Sequence, residues 1–269
     1  MSQHPFDAAI ALQARGEDRW QGATSPAFAN FIGPFGGVTA AQAINGVLQH
    51  PQRLGEPVAL TVNFAAALAD GPFDVIARPV RTNRSTQHWT VAIEQQGQTV
   101  VTATAITAVR RATWQTVEAR MPEVPPPLEV PRPAGKPGVE WVHRYDLRFI
   151  EGPVPAAWDG KDTGASRTRL WVRDAPERPL DFASLTAMAD IFFPRMWLRR
   201  AAFVPAGTVS MTVYFHAGEA QLRETGTGHL LGQAQGQGFG AGYFDHGGQL
   251  WNQAGTLLAT THQVVYYKE

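Results

Sequence analysis

The sequence predicts an α+β fold made twice over, with an antiparallel sheet wrapped around one central helix and the whole unit duplicated in a single chain. Three observations lead there. A proline-rich stretch divides the 269 residues near their middle, each side offers one good helix, and the same strand motifs recur on both sides in the same order. The expected units are residues 1–118, a linker at 119–138, and residues 139–269.

In the first half a short strand is expected over Asp7–Ala14. Gly37–His50 places Val38, Ala41, Ile44 and Leu48 on one helical face, with Pro51 closing the helix. Strands follow at Val58–Ala66, Asp74–Arg81, His88–Glu94 and Thr99–Val109, where residues alternate or run β-branched between turn residues. Seven of the 20 prolines then fall between Met121 and Pro137. Such a segment cannot donate ladder hydrogen bonds and favours a polyproline course, so it reads as a semi-rigid connector.

The second half repeats the plan. A short strand at Arg169–Arg173 precedes Asp181, a candidate cap for a helix carrying Leu185, Met188 and Ala189 that Pro194 would end. Strands then run from Thr208 to Tyr267, including a stretch in which Gly236, Gly238, Gly240 and Gly242 leave one face without side chains. Two segments show the repeat directly. Thr61-Val62-Asn63-Phe64 matches Thr212-Val213-Tyr214-Phe215, and Gln95–Val101 aligns without gaps to Asn252–Leu258.

Composition removes several functions. With 23 basic and 23 acidic residues there is no charge excess to hold a phosphate backbone, so no nucleic-acid partner is expected. The 44% hydrophobic and 17% charged content describes a globular chain. The absence of cysteine excludes disulfides, thiolate metal sites and cysteine nucleophiles. Met1–Asp7 lacks a secretory pattern and no run of about 18 apolar residues occurs, so a cytoplasmic protein without a membrane partner is expected. Walker loops, metalloprotease helices and the serine elbow are missing, and His88, His229, His246 and His262 show no metal-ligand spacing. Neither a metal nor an organic cofactor is expected.

Four stretches carry a resemblance. Gly33-Pro34-Phe35-Gly36-Gly37 resembles a helix entry; Leu170-Trp171-Val172-Arg173 with Ser184–Asp190 resembles a strand and helix; Thr208–His216 and Leu258–Gln263 resemble two further strands. Their order and spacing are similar to the acyl-CoA thioesterase II family, whose members carry two hotdog folds in one chain. The resemblance implies tandem hotdog domains, an acyl-CoA substrate, a place in fatty-acid and lipid metabolism, and a water held by Asp190, Thr208 and Gln263. It also directs attention to Gly36 and Gly37 at the helix start; the residues themselves offer Phe192 and Phe193 as acyl-pocket walls and the bare strand face at Gly238 and Gly240. At those last two, close approach of the substrate competes with tight packing against the central helix.

These residue types suit thioester hydrolysis. A carboxylate can orient and deprotonate water, hydroxyl and amide groups fix its direction, and a backbone N–H at a helix start can stabilise the oxyanion. The repeat adds an asymmetry: the ungapped alignment sets Gln263 opposite Ile106, Thr208 falls opposite Pro57, and Asn45 is the nearest counterpart of Asp190. The second copy is polar where the first is not, so one working site per pair is expected. His216 is the alternative base, and Arg81, Arg84 and Arg110-Arg111 are candidate phosphate contacts. A non-catalytic acyl-CoA or lipid-binding module is the rival reading, with a hydratase or dehydratase of the same fold behind it. Strand edges left over by the arrangement need cover, so a homodimer or larger homo-oligomer is expected.

Overall fold

The computed structural model describes residues 3–134 and 138–269; part of the expected linker, 135–137, lies outside the described residues. The first half contains α1 (Pro5–Ala9), β1 (Gln13–Ala14), β2 (Arg19–Ala23), α2 (Gly36–Leu48), β3 (Glu56–Phe64), β4 (Pro72–Thr82), β5 (Thr86–Gln95) and β6 (Gln98–Ala108). The second contains β7 (Tyr145–Glu151), β8 (Thr168–Asp174), α3 (Phe182–Met188), α4 (Arg195–Arg200), β9 (Ala206–Phe215), α5 (Glu219–Thr225), β10 (Leu230–Gln235), β11 (Phe239–Gly240), β12 (Tyr243–Asn252) and β13 (Leu257–Tyr267).

The strands form one antiparallel sheet in the order β1-β2-β4-β5-β6-β3-β9-β13-β12-β10-β8-β7, with β11 on β12. Read outward from the β3–β9 seam, both halves present the same sequence of strands. At the seam Thr61 pairs with Thr212, the matched residues of the repeated motif, and their hydroxyls lie 3.0 Å apart. A pseudo-twofold axis therefore passes between them. One irregularity repeats too: β3 bulges between Pro57 and Ala59, and β9 bulges between Thr208 and Ser210.

Helices α2 and α3 pack against each other, and α2 also lies on β4 and β5. Small residues permit this. Ala40, Ala41, Ala43 and Ile44 of α2 are fully buried, and a Cβ at Gly46 would stand 2.8 Å from a Val75 methyl. A single hydrophobic cluster runs through both halves, from Phe6 and Trp20 to Leu250 and Ala259. No helix among the described residues is long and apolar enough to cross a membrane.

Four expectations change. Of the strand expected at Asp7–Ala14 only Gln13–Ala14 forms, and Asp7–Ala9 belong to helix α1: Pro5 occupies its first turn, the His4 ring accepts the Phe6 N–H, and Phe6 and Ala9 are buried. Pro194 does not end the second helix. Helix α3 stops at Met188, and Pro194 instead caps the start of α4, for which its fixed φ is already suited. The glycine-alternating run is not one strand, because the Asp245 carboxylate captures the N–H groups of Gln237 and Gly238, and Ala241 and Gly242 turn at φ 52° and 78°. Only Phe239–Gly240 remains extended.

The fourth concerns the proline-rich stretch, which lies as a strap on the second-half sheet. Val130, Met121 and Val124 pack with Trp171, Leu231, Trp251 and Leu257. The two indole N–H groups donate to strap carbonyls, Trp171 to Pro125 at 2.9 Å and Trp251 to Ala119 at 3.4 Å.

Candidate active site

Asp190 sits two residues beyond the end of α3, held there by its N–H donating to Ala187 O. The α3 terminus runs against the start of α2, so the Asp190 carboxylate accepts from the Gly37 N–H. Glycine is needed here for space, not for backbone freedom. A Cβ at Gly36 would lie 2.7 Å from Asp190 Oδ2, and one at Gly37 would lie 2.5 Å from Ala187 O.

From the sheet, Gln263 of β13 donates through Nε2 to Asp190 Oδ1 at 2.8 Å, and its Oε1 accepts from Thr208 Oγ1 at 3.0 Å. Thr208, Gln263 and Asp190 thus form one hydrogen-bonded chain from β9 through β13 to the helix pair. Gln263 is buried beside Met211 Sδ, so both ends of its amide are fixed. Burial raises the Asp190 carboxyl to about 7, against the opposing pull of the Gln263 amide and the Gly37 N–H. A carboxylate poised there can exchange a proton with water near neutral pH.

The inner face of β13 continues in both directions. Beyond Gln263 come Val265 and Tyr267, which pack with Phe244, Met196 and Phe239. Past them opens a hollow of about 510 Å³ whose wall includes Met196, Arg199, Arg200, Gly236, Phe239 and Tyr267. Toward the other end, Thr261 shares the face with Gln263.

The other residues singled out by the sequence scatter around this track. Phe192, two residues after Asp190, buries its ring over Gly232 and Gly248. Phe193 stacks on Phe149 and Trp197, extending toward Trp158, Phe31 and Phe203 at the surface. Gly238 donates to Asp245, and Gly240 is exposed with open space around it; no hydrogen bond joins either to the Asp190 chain. His216 follows β9 directly, eight residues from Thr208 and roughly 26 Å along the extended chain, and bonds Thr260. Arg110 is consumed by Glu56 and by the carbonyls of Pro57, Phe215 and His216, and Arg81 by Asn83.

Sequence reasoning assigned His246 nothing, yet register places it directly opposite Gln263, on the same inner face. Period-two burial along Phe244, His246 and Gly248 is the signal that marks it.

The mirrored position in the first half is built from different residues. Pro57 occupies the place of Thr208, as the alignment predicts. Gln263, however, corresponds to Ala105, not Ile106: Gln263 pairs with Met211 and Ala105 with Leu60, each next to its seam threonine. The one-residue slip arises in the hairpin, because Trp251 pairs with Leu257 where Glu94 pairs with Thr99. Asn45 lines a crevice of about 280 Å³ between the end of α2 and the start of α3, and its amide is taken by Ile10 O.

Comparison with known proteins agrees with this architecture. Residues 121–267 match the acyl-CoA thioesterase C-terminal domain and residues 25–108 the acyl-CoA thioesterase N-terminal domain. The chain superposes on a conserved protein of unknown function with a hot dog fold from Alicyclobacillus acidocaldarius, at 45% identity and a TM-score of 0.94, covering 100% of this chain and 99% of that one. It also resembles in fold a putative thioesterase II from Thermobifida fusca YX (20% identity, TM-score 0.83, 100% and 99% covered). An acyl-CoA thioesterase II, TesB2, from Mycobacterium marinum is similar again (18% identity, TM-score 0.79, 98% of both chains). No curated protein matches the sequence.

Proposed function

The chain belongs to the acyl-CoA thioesterase family, and from that premise we propose that it hydrolyses an acyl-CoA to carboxylic acid and CoA by direct attack of water at Asp190. The observation that carries the reading is the Thr208–Gln263–Asp190 hydrogen-bonded chain at the start of α2.

In the reaction, Asp190 takes a proton from water as the oxygen adds to the thioester carbon. The Gln263 amide fixes the carboxylate, while Thr208, whose proton is committed to Gln263, keeps oxygen lone pairs free to accept from that water. The developing oxyanion is stabilised by the Gly36 N–H at the first turn of α2, which lacks an intrahelical acceptor, the Gly37 N–H being taken by Asp190. Collapse of the tetrahedral intermediate breaks the C–S bond, and the thiolate leaves with the proton returned from Asp190. We place the thioester at Gln263 and the CoA portion along Val265 and Tyr267 toward the hollow at Arg199 and Arg200.

The test is CoA release followed with a thiol reagent over acyl-CoAs of graded length, wild type against Asp190→Asn. The protein contributes no thiol background. Turnover that falls by about a hundredfold or more in the variant supports a general base; turnover indifferent to Asp190 overturns the site, and binding without any turnover returns the reading to a carrier module.

A further inference from the structure

His246 is 1% exposed and Thr261 4%, yet neither ring nitrogen nor the hydroxyl has a hydrogen-bond partner. A buried polar group left unpaired costs stability, so two of them side by side, on neighbouring strands next to Gln263, need a reason. Both stand beside the proposed centre. His246 is the cross-strand neighbour of Gln263, and Thr261 is two residues along β13 from it on the same face, opposite Gly248.

What covers them is Phe192. Its ring rests on the bare backbone of two glycines, so that a Cβ at Gly232 would lie 3.0 Å from it and one at Gly248 3.2 Å. It meets the His246 ring edge-on at 6.1 Å. Phe192 belongs to the irregular link between α3 and α4, two residues after Asp190, and is not anchored in either helix.

We propose, resting on the thioesterase reading, that the floor beneath Phe192 is an acyl subsite for chains bearing a hydroxyl or keto oxygen, recognised by His246 and Thr261. Burial and the nearby Arg195 charge keep His246 well below the ordinary imidazole range, hence neutral, with one donor and one acceptor nitrogen. The Thr261 hydroxyl also gives and receives. An oxygen on the acyl chain satisfies both groups, whereas a methylene in the same place leaves both unpaired. Cross-strand Cβ atoms lie about 5 Å apart, which sets that oxygen within a few bonds of the thioester carbon. Phe192 closes the subsite when it is empty and swings off the glycines when the chain enters.

The experiment compares hexanoyl-CoA with its hydroxylated and keto regioisomers in wild type, His246→Leu, His246→Gln and Thr261→Val. Wild type is expected to favour at least one regioisomer by about tenfold in kcat/KM, the scale of one added hydrogen bond in a closed site. His246→Leu brings the ratio near unity, Thr261→Val lowers it, and His246→Gln keeps part of it. Circular dichroism and the thermal midpoint check each fold; removing unpaired buried groups is expected to leave the midpoint unchanged or higher. Absence of any preference in wild type, or a preference that survives both His246→Leu and Thr261→Val, overturns the subsite. If no ester is hydrolysed, the thioesterase reading fails instead. Calorimetric binding of the same set then decides the subsite, with equal affinities overturning it.

Discussion

The two halves of the molecule share strand order, the bulge in β3 and β9, and a central helix, yet they differ at the three positions proposed to carry polar chemistry. Thr208 and Gln263 in the second half stand where Pro57 and Ala105 stand in the first, and Asn45 near the end of α2 is the nearest first-half counterpart of Asp190 past the end of α3. The frame is common and the site is not. Pro57 offers neither a hydroxyl nor an N–H, Ala105 cannot bridge strand to helix, and the Asn45 amide is already bonded to Ile10. The first half nevertheless completes the second half's site, because α2 supplies Gly36 and Gly37 against Asp190. One crossing of the helix pair became the candidate centre, and its mirror became packing.

The sharpest way to break this comparison is Asp190→Asn, expected to lower kcat by about a hundredfold or more, set against Asn45→Asp, expected to leave turnover unchanged. A comparable loss from the two would mean both crossings work. Next comes Gln263→Leu, which frees the carboxylate and leaves Thr208 unpaired; a loss of roughly 10- to 100-fold in kcat is expected, while Ala105→Gln creates no activity.

The pH profile sharpens the same point. With Asp190 raised to about 7 by burial, kcat should climb as pH rises through neutrality and the base ionises. Stability moves the other way. A carboxyl whose folded pKa lies above its unfolded value of 3.8 favours the fold below that value, and this is lost as pH rises toward about 7. Asp190→Asn should therefore raise the thermal midpoint at pH 8 more than at pH 5. Equal shifts at the two pH values would refute the raised pKa.

The smallest effect is expected at the seam. Thr61→Val and Thr212→Val each remove the same hydroxyl contact, so each should cost on the order of 1 kcal/mol by denaturant titration. A clear difference between them would show that the axis is not respected energetically.

Much of the frame was legible in the sequence because it is local. The hairpin at Gln96-Gly97 is a two-residue turn with both φ positive, at 52° and 76°, and the Asp181 cap bonds the Ser184 N–H as its position suggests. Helix α1 was not legible because its signal is only a histidine ring and a proline at its start. The candidate trio was legible through resemblance, and register then brought its members together. Two facts were hidden because they depend on pairing across the sheet: the one-residue slip that moves the Gln263 counterpart to Ala105, and the position of His246 opposite Gln263. A sequence shows which face a strand residue takes, but not which neighbour it meets.

The strap has an optical consequence. The chain leaves β6 near the middle of the sheet and re-enters at β7 on its edge, seven strand spacings away, a span of roughly 34 Å. About ten extended residues would cross it, so the connection is longer than the crossing needs, and its residues 119–130 drape over Trp171 and Trp251. Those two indoles, each hydrogen-bonded to a strap carbonyl, make the molecule its own fluorophore. Lifting the strap would wet both rings and shift their emission to the red, a signal separate from the helix-side chemistry on the opposite face.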